Sequence, residues 1–125
     1  MRWSLLLLFL ASSPILFSQE IKKKYLGSYS GELSSYALEV GSEVYEVQAA
    51  TIEIRLDPDG IVVEKIAGKE QKGTYSFLKE DKYTVSLEVK LTSQFIPESY
   101  VLYKKEKRLE RKGIYPQPDV FLKKN

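Results

Sequence analysis

Residues 50–66, ATIEIRLDPDGIVVEKI, decide how this chain folds. In an extended chain Ala50, Ile52, Ile54 and Leu56 fall on one face, and Thr51, Glu53, Arg55 and Asp57 on the other. That period of two marks a strand with one covered and one wet face. The tetrapeptide Asp57-Pro58-Asp59-Gly60 admits two readings, a calcium loop or a tight turn. Asp at the first position, Pro at the second and Gly at the fourth suit a type I turn. A calcium loop of the EF-hand kind needs further oxygens, a bidentate Glu at its end and a helix on each side. The following IVVEKI offers one Glu inside a strand. These residues therefore predict a hairpin and no metal site.

The same alternation recurs at 83–91, where Tyr83, Val85, Leu87, Val89 and Leu91 oppose Thr84, Ser86, Glu88 and Lys90. Weaker strands fit 27–33, 36–40, 44–47, 61–66, 74–78, 99–105, 108–112 and 119–123. Turn chemistry separates them: DPDG, AGKEQKG, LKEDK and YPQPD. A single helical turn is an alternative within SSYALEVGSEVYEV, although Gly41 and the valines oppose it. Strands joined in sequence by short turns make an antiparallel meander. About eight of them can close into a barrel and so remove the exposed edges. The predicted fold is all-β, one small barrel domain over residues 19–125.

Residues 1–18 read differently. Arg2 precedes an apolar run over 3–17 that Ser12, Ser13 and Pro14 interrupt. This pattern predicts a secretory signal peptide cut after Ser18 or Gln19, and a product that is periplasmic or extracellular. The chain has no cysteine, so neither a disulfide nor a lipid-bearing cysteine is available. Its only tryptophan lies in the leader, whereas all nine tyrosines follow it, as suits half-buried sheet surfaces. The net charge is +2, unevenly spread. Residues 32–64 hold eight acids against Arg55 alone, and residues 103–125 hold eight bases against three acids. Mutual neutralisation across neighbouring strands is the expected use of this asymmetry, ahead of a basic face for anionic partners.

Several short signatures occur in a recognisable order: GSYSGEL at 27–33, IEIRLDPDG at 52–60, GTYSF at 73–77, YVLY at 100–103 and VFLKK at 120–124. Together they resemble the small lipocalin-like barrels of bacterial envelopes, in particular the amino-terminal domain of the NlpE copper-resistance lipoproteins. The resemblance implies a lipocalin-like barrel. That family also carries a Cys-x-x-Cys pair and a lipidated cysteine, and this chain has neither, so copper sensing and lipid anchoring do not carry over. Where lipocalins place a Trp under a basic residue, Tyr29 stands here, with Arg108 or Arg111 to cover it.

Without histidine or cysteine, a Ser-His-Asp triad, a thiolate nucleophile and an ordinary zinc or copper site are impossible. AGKEQKG lacks the spacing of a phosphate loop. Glu53 and Glu64, a carboxylate pair facing each other near the hairpin, are expected as solubilising charges on the wet side rather than a catalytic couple. No enzyme and no cofactor are expected. Two binding roles remain. The first is a barrel for one small apolar or amphipathic ligand, with Tyr83, Tyr100 and Tyr103 lining its pocket. The second is a module for an envelope protein or an anionic envelope surface, acting through Lys104, Lys105, Arg108 and Arg111, with Phe95 and Ile96 of QFIPESY as an exposed docking pair. Nucleic acid is not an expected partner, and the chain is expected to be a monomer.

Overall fold

The computed structural model describes residues 21–125. The predicted leader and its cleavage point lie outside the described residues. Among the described residues a 3-10 turn, Lys23–Tyr25, precedes ten strands, and there is no α-helix. The strands are β1 (Gly27–Leu33), β2 (Tyr36–Val40), β3 (Glu43–Val47), β4 (Ala50–Leu56), β5 (Ile61–Ile66), β6 (Lys69–Glu80), β7 (Thr84–Leu91), β8 (Glu98–Tyr103), β9 (Arg108–Lys112) and β10 (Val120–Lys124). Eight of them close an antiparallel barrel in the order β1-β10-β9-β8-β7-β6-β5-β4. The remaining two, β2 and β3, pair only with each other. They form a hairpin about Gly41 rather than the helical turn that was the alternative.

The opening stretch behaves as its pattern requires. Leu56 pairs with Val62 and Ile54 with Glu64 across the turn. The Asp57 amide donates to the Ile61 carbonyl at 2.9 Å, and the Gly60 amide to the Asp57 carbonyl at 3.3 Å. Gly60 has φ +85°, a left-handed conformation that suits a residue without Cβ. This register fixes which β5 residues enter the barrel, and it overturns one expectation. Glu53 stands opposite Lys65, while Glu64 shares the inner face of Ile54 and is buried. Both phases of IVVEKI place two apolar residues inside, so the register alone chooses between them.

The next turn is also tighter than AGKEQKG suggests. Ala67 (φ 52°) and Gly68 (φ 84°) make a two-residue hairpin, and Lys69 already pairs with Ile66. Two left-handed residues match the twist of the flanking strands, so β6 starts five residues before the predicted 74.

The barrel has two unlike ends. At one, the 3-10 turn inserts Tyr25 into the core, and the Tyr29 hydroxyl donates to the Tyr25 carbonyl at 2.8 Å. Burial first, and then Tyr25, pushes the Tyr29 hydroxyl up to about 12, so it stays a donor at every physiological pH. Tyr29 is buried in the core, but neither Arg108 nor Arg111 covers it. Arg108 lies outside, over the rings of Tyr103 and Phe121. Arg111 is engaged by carboxylates within the barrel. At the other end the chain leaves β1 for the β2–β3 hairpin and returns through 92–97 and 113–119. This end is open.

Ile52, Ile54, Leu56, Val85, Leu87, Val89, Leu102, Leu109 and Leu122 fill the interior between the ends. Each such side chain contributes roughly 1.5–3 kcal/mol relative to exposure. Gly73 lets β6 approach β7, because a Cβ there would sit 2.2 Å from the Lys90 carbonyl oxygen and 2.8 Å from the Leu91 Cα. Both neighbours are backbone and cannot turn aside. Gly73→Ala is therefore expected to lower stability by about 1–3 kcal/mol or more, read from the urea midpoint. A midpoint unchanged from wild type would show that the strands stand further apart.

The acidic and basic stretches do not neutralise each other across neighbouring strands. Arg55 pairs with Asp57 of its own stretch at 3.0 Å, and Lys112 with Glu110 at 3.1 Å. Among the described residues the one ion pair that joins the two stretches, Arg111 with Glu64, crosses the barrel interior.

Candidate functional site at the open end

The inward phase of three strands brings four polar side chains into the upper interior. On β5 it is Glu64, on β8 Glu98 and Tyr100, and on β9 Arg111, all at 1% exposure or less. Arg111 grips Glu98 with two bonds, Nε to Oε1 at 3.1 Å and Nη2 to Oε2 at 2.9 Å. Nε also donates to Glu64 Oε2 at 3.3 Å. The Tyr100 hydroxyl donates to the same oxygen of Glu64. Arg111 Nη2 then reaches Gln117 Oε1 at 3.0 Å, and Gln117 stands on the loop between β9 and β10.

Two carboxyl groups thus face one guanidinium away from water. Charges so placed are tolerable only when their number balances, because each uncompensated one costs several kcal/mol. The cluster balances by keeping a proton. Burial, followed by the hydrogen bond with Glu64 and its charge, pushes Glu98 up to about 8, against the pull of Arg111. Burial, then Glu64, raises the Tyr100 hydroxyl well above its ordinary range, so it too remains a donor. Burial opposes the Arg111 charge, but Glu64 and Glu98 outweigh it and its pKa rises. Two atoms of the cluster, Glu64 Oε1 and Arg111 Nη1, are buried without a hydrogen-bond partner.

Directly outside lies an open cleft of about 340 Å³. Tyr36 and Leu38 of the β2–β3 hairpin form one wall. Gln94, Phe95 and Ile96 form a second, and residues 114–117, Ile-Tyr-Pro-Gln, a third. The lining is mainly apolar. Gln117 belongs both to the cleft and to the cluster, and its Nε2 lies 3.5 Å from the Tyr36 hydroxyl. A path of polar atoms therefore runs from the cleft floor to the buried charges. Phe95 is 103% exposed and Tyr115 92%, so large apolar rings stand free at the rim. Exposed aromatics of that size beside a cleft are unusual unless something covers them.

The residues expected from sequence are scattered. Tyr100 is in the buried cluster, but Tyr103 points to the outer surface, where its hydroxyl donates to Glu110 at 2.9 Å. Residues three apart on one strand take opposite faces, so these two tyrosines never shared a pocket. Tyr83 is exposed in the β6–β7 turn, at the closed end. The basic set also divides. Lys104 pairs with Glu80 at 2.7 Å, Lys105 is exposed in the β8–β9 turn with no ion pair among the described residues, Arg108 stacks on the outer rings, and Arg111 is inside. Phe95 and Ile96 are exposed as anticipated. Sequence reasoning missed Glu64, Glu98 and Gln117. One signal was present: Glu98-Ser99-Tyr100-Val101-Leu102 carries an acid in the same phase as Tyr100 and Leu102.

No group of three or more potential metal ligands occurs among the described residues, and no described helix is long and apolar enough to cross a membrane. Comparison with protein-family models, with curated proteins and with solved structures finds no match to the chain.

Proposed function

We propose that the chain is a non-enzymatic, exported barrel of lipocalin-like character that binds one small amphipathic molecule at its open end. The cleft carries this reading: an apolar hollow of about 340 Å³, lined by Phe95, Ile96 and Tyr115, whose floor residue Gln117 is tied to Arg111. The volume is at the small end of ligand sites and suits a single chain or ring with a polar head. The apolar part lies against the three walls. The head meets Gln117 and Tyr36, which present an amide and a hydroxyl in a setting otherwise without charge. The barrel interior is occupied by side chains, so the ligand sits in the mouth and not deep in the core.

Phe95→Ser with Ile96→Ser tests this reading. Both side chains are exposed, so the fold is expected to survive and the melting temperature of the free protein to change little. Binding of an environment-sensitive apolar dye, or of dodecanoic acid, is expected to weaken about tenfold or more, since two apolar anchors are lost. Equal binding by wild type and variant would place the ligand elsewhere. The exposed rim favours a second reading, in which Phe95, Ile96 and Tyr115 dock an envelope protein. That case predicts no dye or fatty-acid binding by wild type.

A further inference from the structure

The two ends of the barrel differ in charge as well as in shape. At the open end, the β2–β3 hairpin carries Glu39, Glu43 and Glu46 and no base. The closed end gathers bases from three parts of the chain. Lys22, Lys23 and Lys24 belong to the 3-10 turn and its start, Lys82 to the β6–β7 turn, and Lys105 and Lys107 to the β8–β9 turn. The folded backbone holds them together. The Lys104 amide donates to the Tyr83 carbonyl at 2.9 Å, the Lys124 amide to the Lys107 carbonyl at 3.0 Å, and Lys124 Nζ to the Lys24 carbonyl at 2.6 Å.

Asp59 and Glu106 of this end are exposed and have no ion pair among the described residues, and its other acids are already engaged. Asp81 accepts from the amides of Tyr83 and Thr84, both at 2.8 Å, and these bonds hold its carboxyl below the ordinary range. Glu80 is paired with Lys104, and Asp57 with Arg55. None of Lys23, Lys24, Lys82, Lys105 and Lys107 has an acidic group within 4 Å among the described residues. Amid these lysines stands an exposed ring, Tyr83, with Lys82 5.5 Å above it.

We infer that this closed end is a docking surface for an anionic phospholipid bilayer. Unpaired lysines on a rigid cap match the negative surface potential of such a bilayer, and each basic side chain near it adds roughly one power of five in affinity. Tyr83 supplies what a purely electrostatic partner does not need. An amphipathic ring on a basic face sits at headgroup level, apolar body inward and hydroxyl wet. Opposite charge at the two ends orients the molecule, so the bound barrel holds its open cleft away from the lipid. The inference is independent of what the cleft binds.

The test is co-sedimentation of the full chain with phosphatidylcholine vesicles, neutral or containing about 30 mol % phosphatidylglycerol. The measure is the ratio of the two affinities. Residues 1–20 are common to every variant, so they cancel when variants are compared. Wild type is expected to prefer the anionic vesicles and to lose that preference as salt rises. Replacing Lys23, Lys82, Lys105 and Lys107 by Gln together should lower the ratio a hundredfold or more, with unchanged circular dichroism. Tyr83→Ser should weaken vesicle binding but not binding to soluble polyphosphate. A ratio near one for wild type, or a quadruple variant that binds as well, overturns the inference. An equal loss of vesicle and polyphosphate binding in Tyr83→Ser overturns the assignment to a bilayer in favour of a soluble polyanion.

Discussion

Arg111→Met is expected to destabilise the barrel by about 3–5 kcal/mol, the largest effect of any single change outside the apolar core. The reason is charge balance and not the worth of the ion pair. The guanidinium donates to Glu98 twice, to Glu64 once and to Gln117 once. Methionine fills much of the volume but leaves two buried carboxyl groups facing each other without a cation. They must then take up a second proton or draw water inside. The cost should therefore shrink toward pH 5 and grow toward pH 9. A variant with the whole cluster made apolar, Glu64→Met, Glu98→Leu, Tyr100→Phe and Arg111→Met, should recover most of the stability, because a well-packed apolar replacement removes the desolvation cost altogether. Urea unfolding of both variants decides the matter. A loss below about 1 kcal/mol for Arg111→Met would mean that the guanidinium is solvated.

The second large effect is a fall in stability with rising pH. Folded Glu98 keeps its proton up to about 8, whereas in the unfolded chain it releases it near the ordinary value of 4.5. Between those limits the folded state binds more protons than the unfolded state, so stability decreases as pH rises. The contribution is complete below about pH 4.5 and gone above about pH 9. A shift of this size corresponds to about 4–5 kcal/mol, or a drop in melting temperature on the order of 15–20 °C. The window is unusually clean. The chain has no histidine and no cysteine. The carboxyls that are lowered, Glu80 and Asp81, titrate below the window and act in the opposite sense. Glu98→Gln should flatten the melting-temperature profile between pH 5 and pH 9, its amide oxygen keeping one of the two bonds from Arg111 and its amide nitrogen, a donor, giving up the other. A wild-type profile that is flat over this range would show that Glu98 ionises freely in the folded state.

The barrel was legible where one face is apolar without exception. In β4, Ile52, Ile54 and Leu56 fix both the strand and its covered face, and in β7 Val85, Leu87, Val89 and Leu91 do the same. The side hairpin was legible as two strands but not as a unit outside the barrel, since its alternation is equally weak on both faces. The charged cluster was hidden for a physical reason. Both phases of β5 hold two apolar residues, and both phases of β9 carry charge, so neither strand announces its inner face. Only the register of β9 against its neighbours β8 and β10 decides that Leu109 and Arg111 enter the interior together. The cleft was hidden likewise, because three chain segments that are far apart in sequence build it. The exposed pair Phe95 and Ile96 was the one visible part, since Pro97 ends the loop before β8 and leaves them without a strand neighbour.

The two ends give the molecule its logic. A 3-10 turn and Tyr25 seal one end, which carries the unpaired lysines. The other end remains open, with the hairpin and two loops raised around it. The buried cluster lies between the core and the cleft, reached through Gln117. A ligand head that engages Gln117 would compete for its bond to Arg111 Nη2, so occupancy and the protonation of Glu98 are expected to be coupled.

Chemical-shift mapping during titration with dodecanoic acid shows, residue by residue, whether the open end holds an amphipathic ligand. Binding there changes signals centred on Phe95, Ile96, Ile114 and Tyr115, with the Gln117 side-chain amide and Arg111 Nε–H shifting in step. Saturating acid that leaves these signals in place, or moves only those of the closed end around Tyr25 and Tyr83, would contradict binding at the open end.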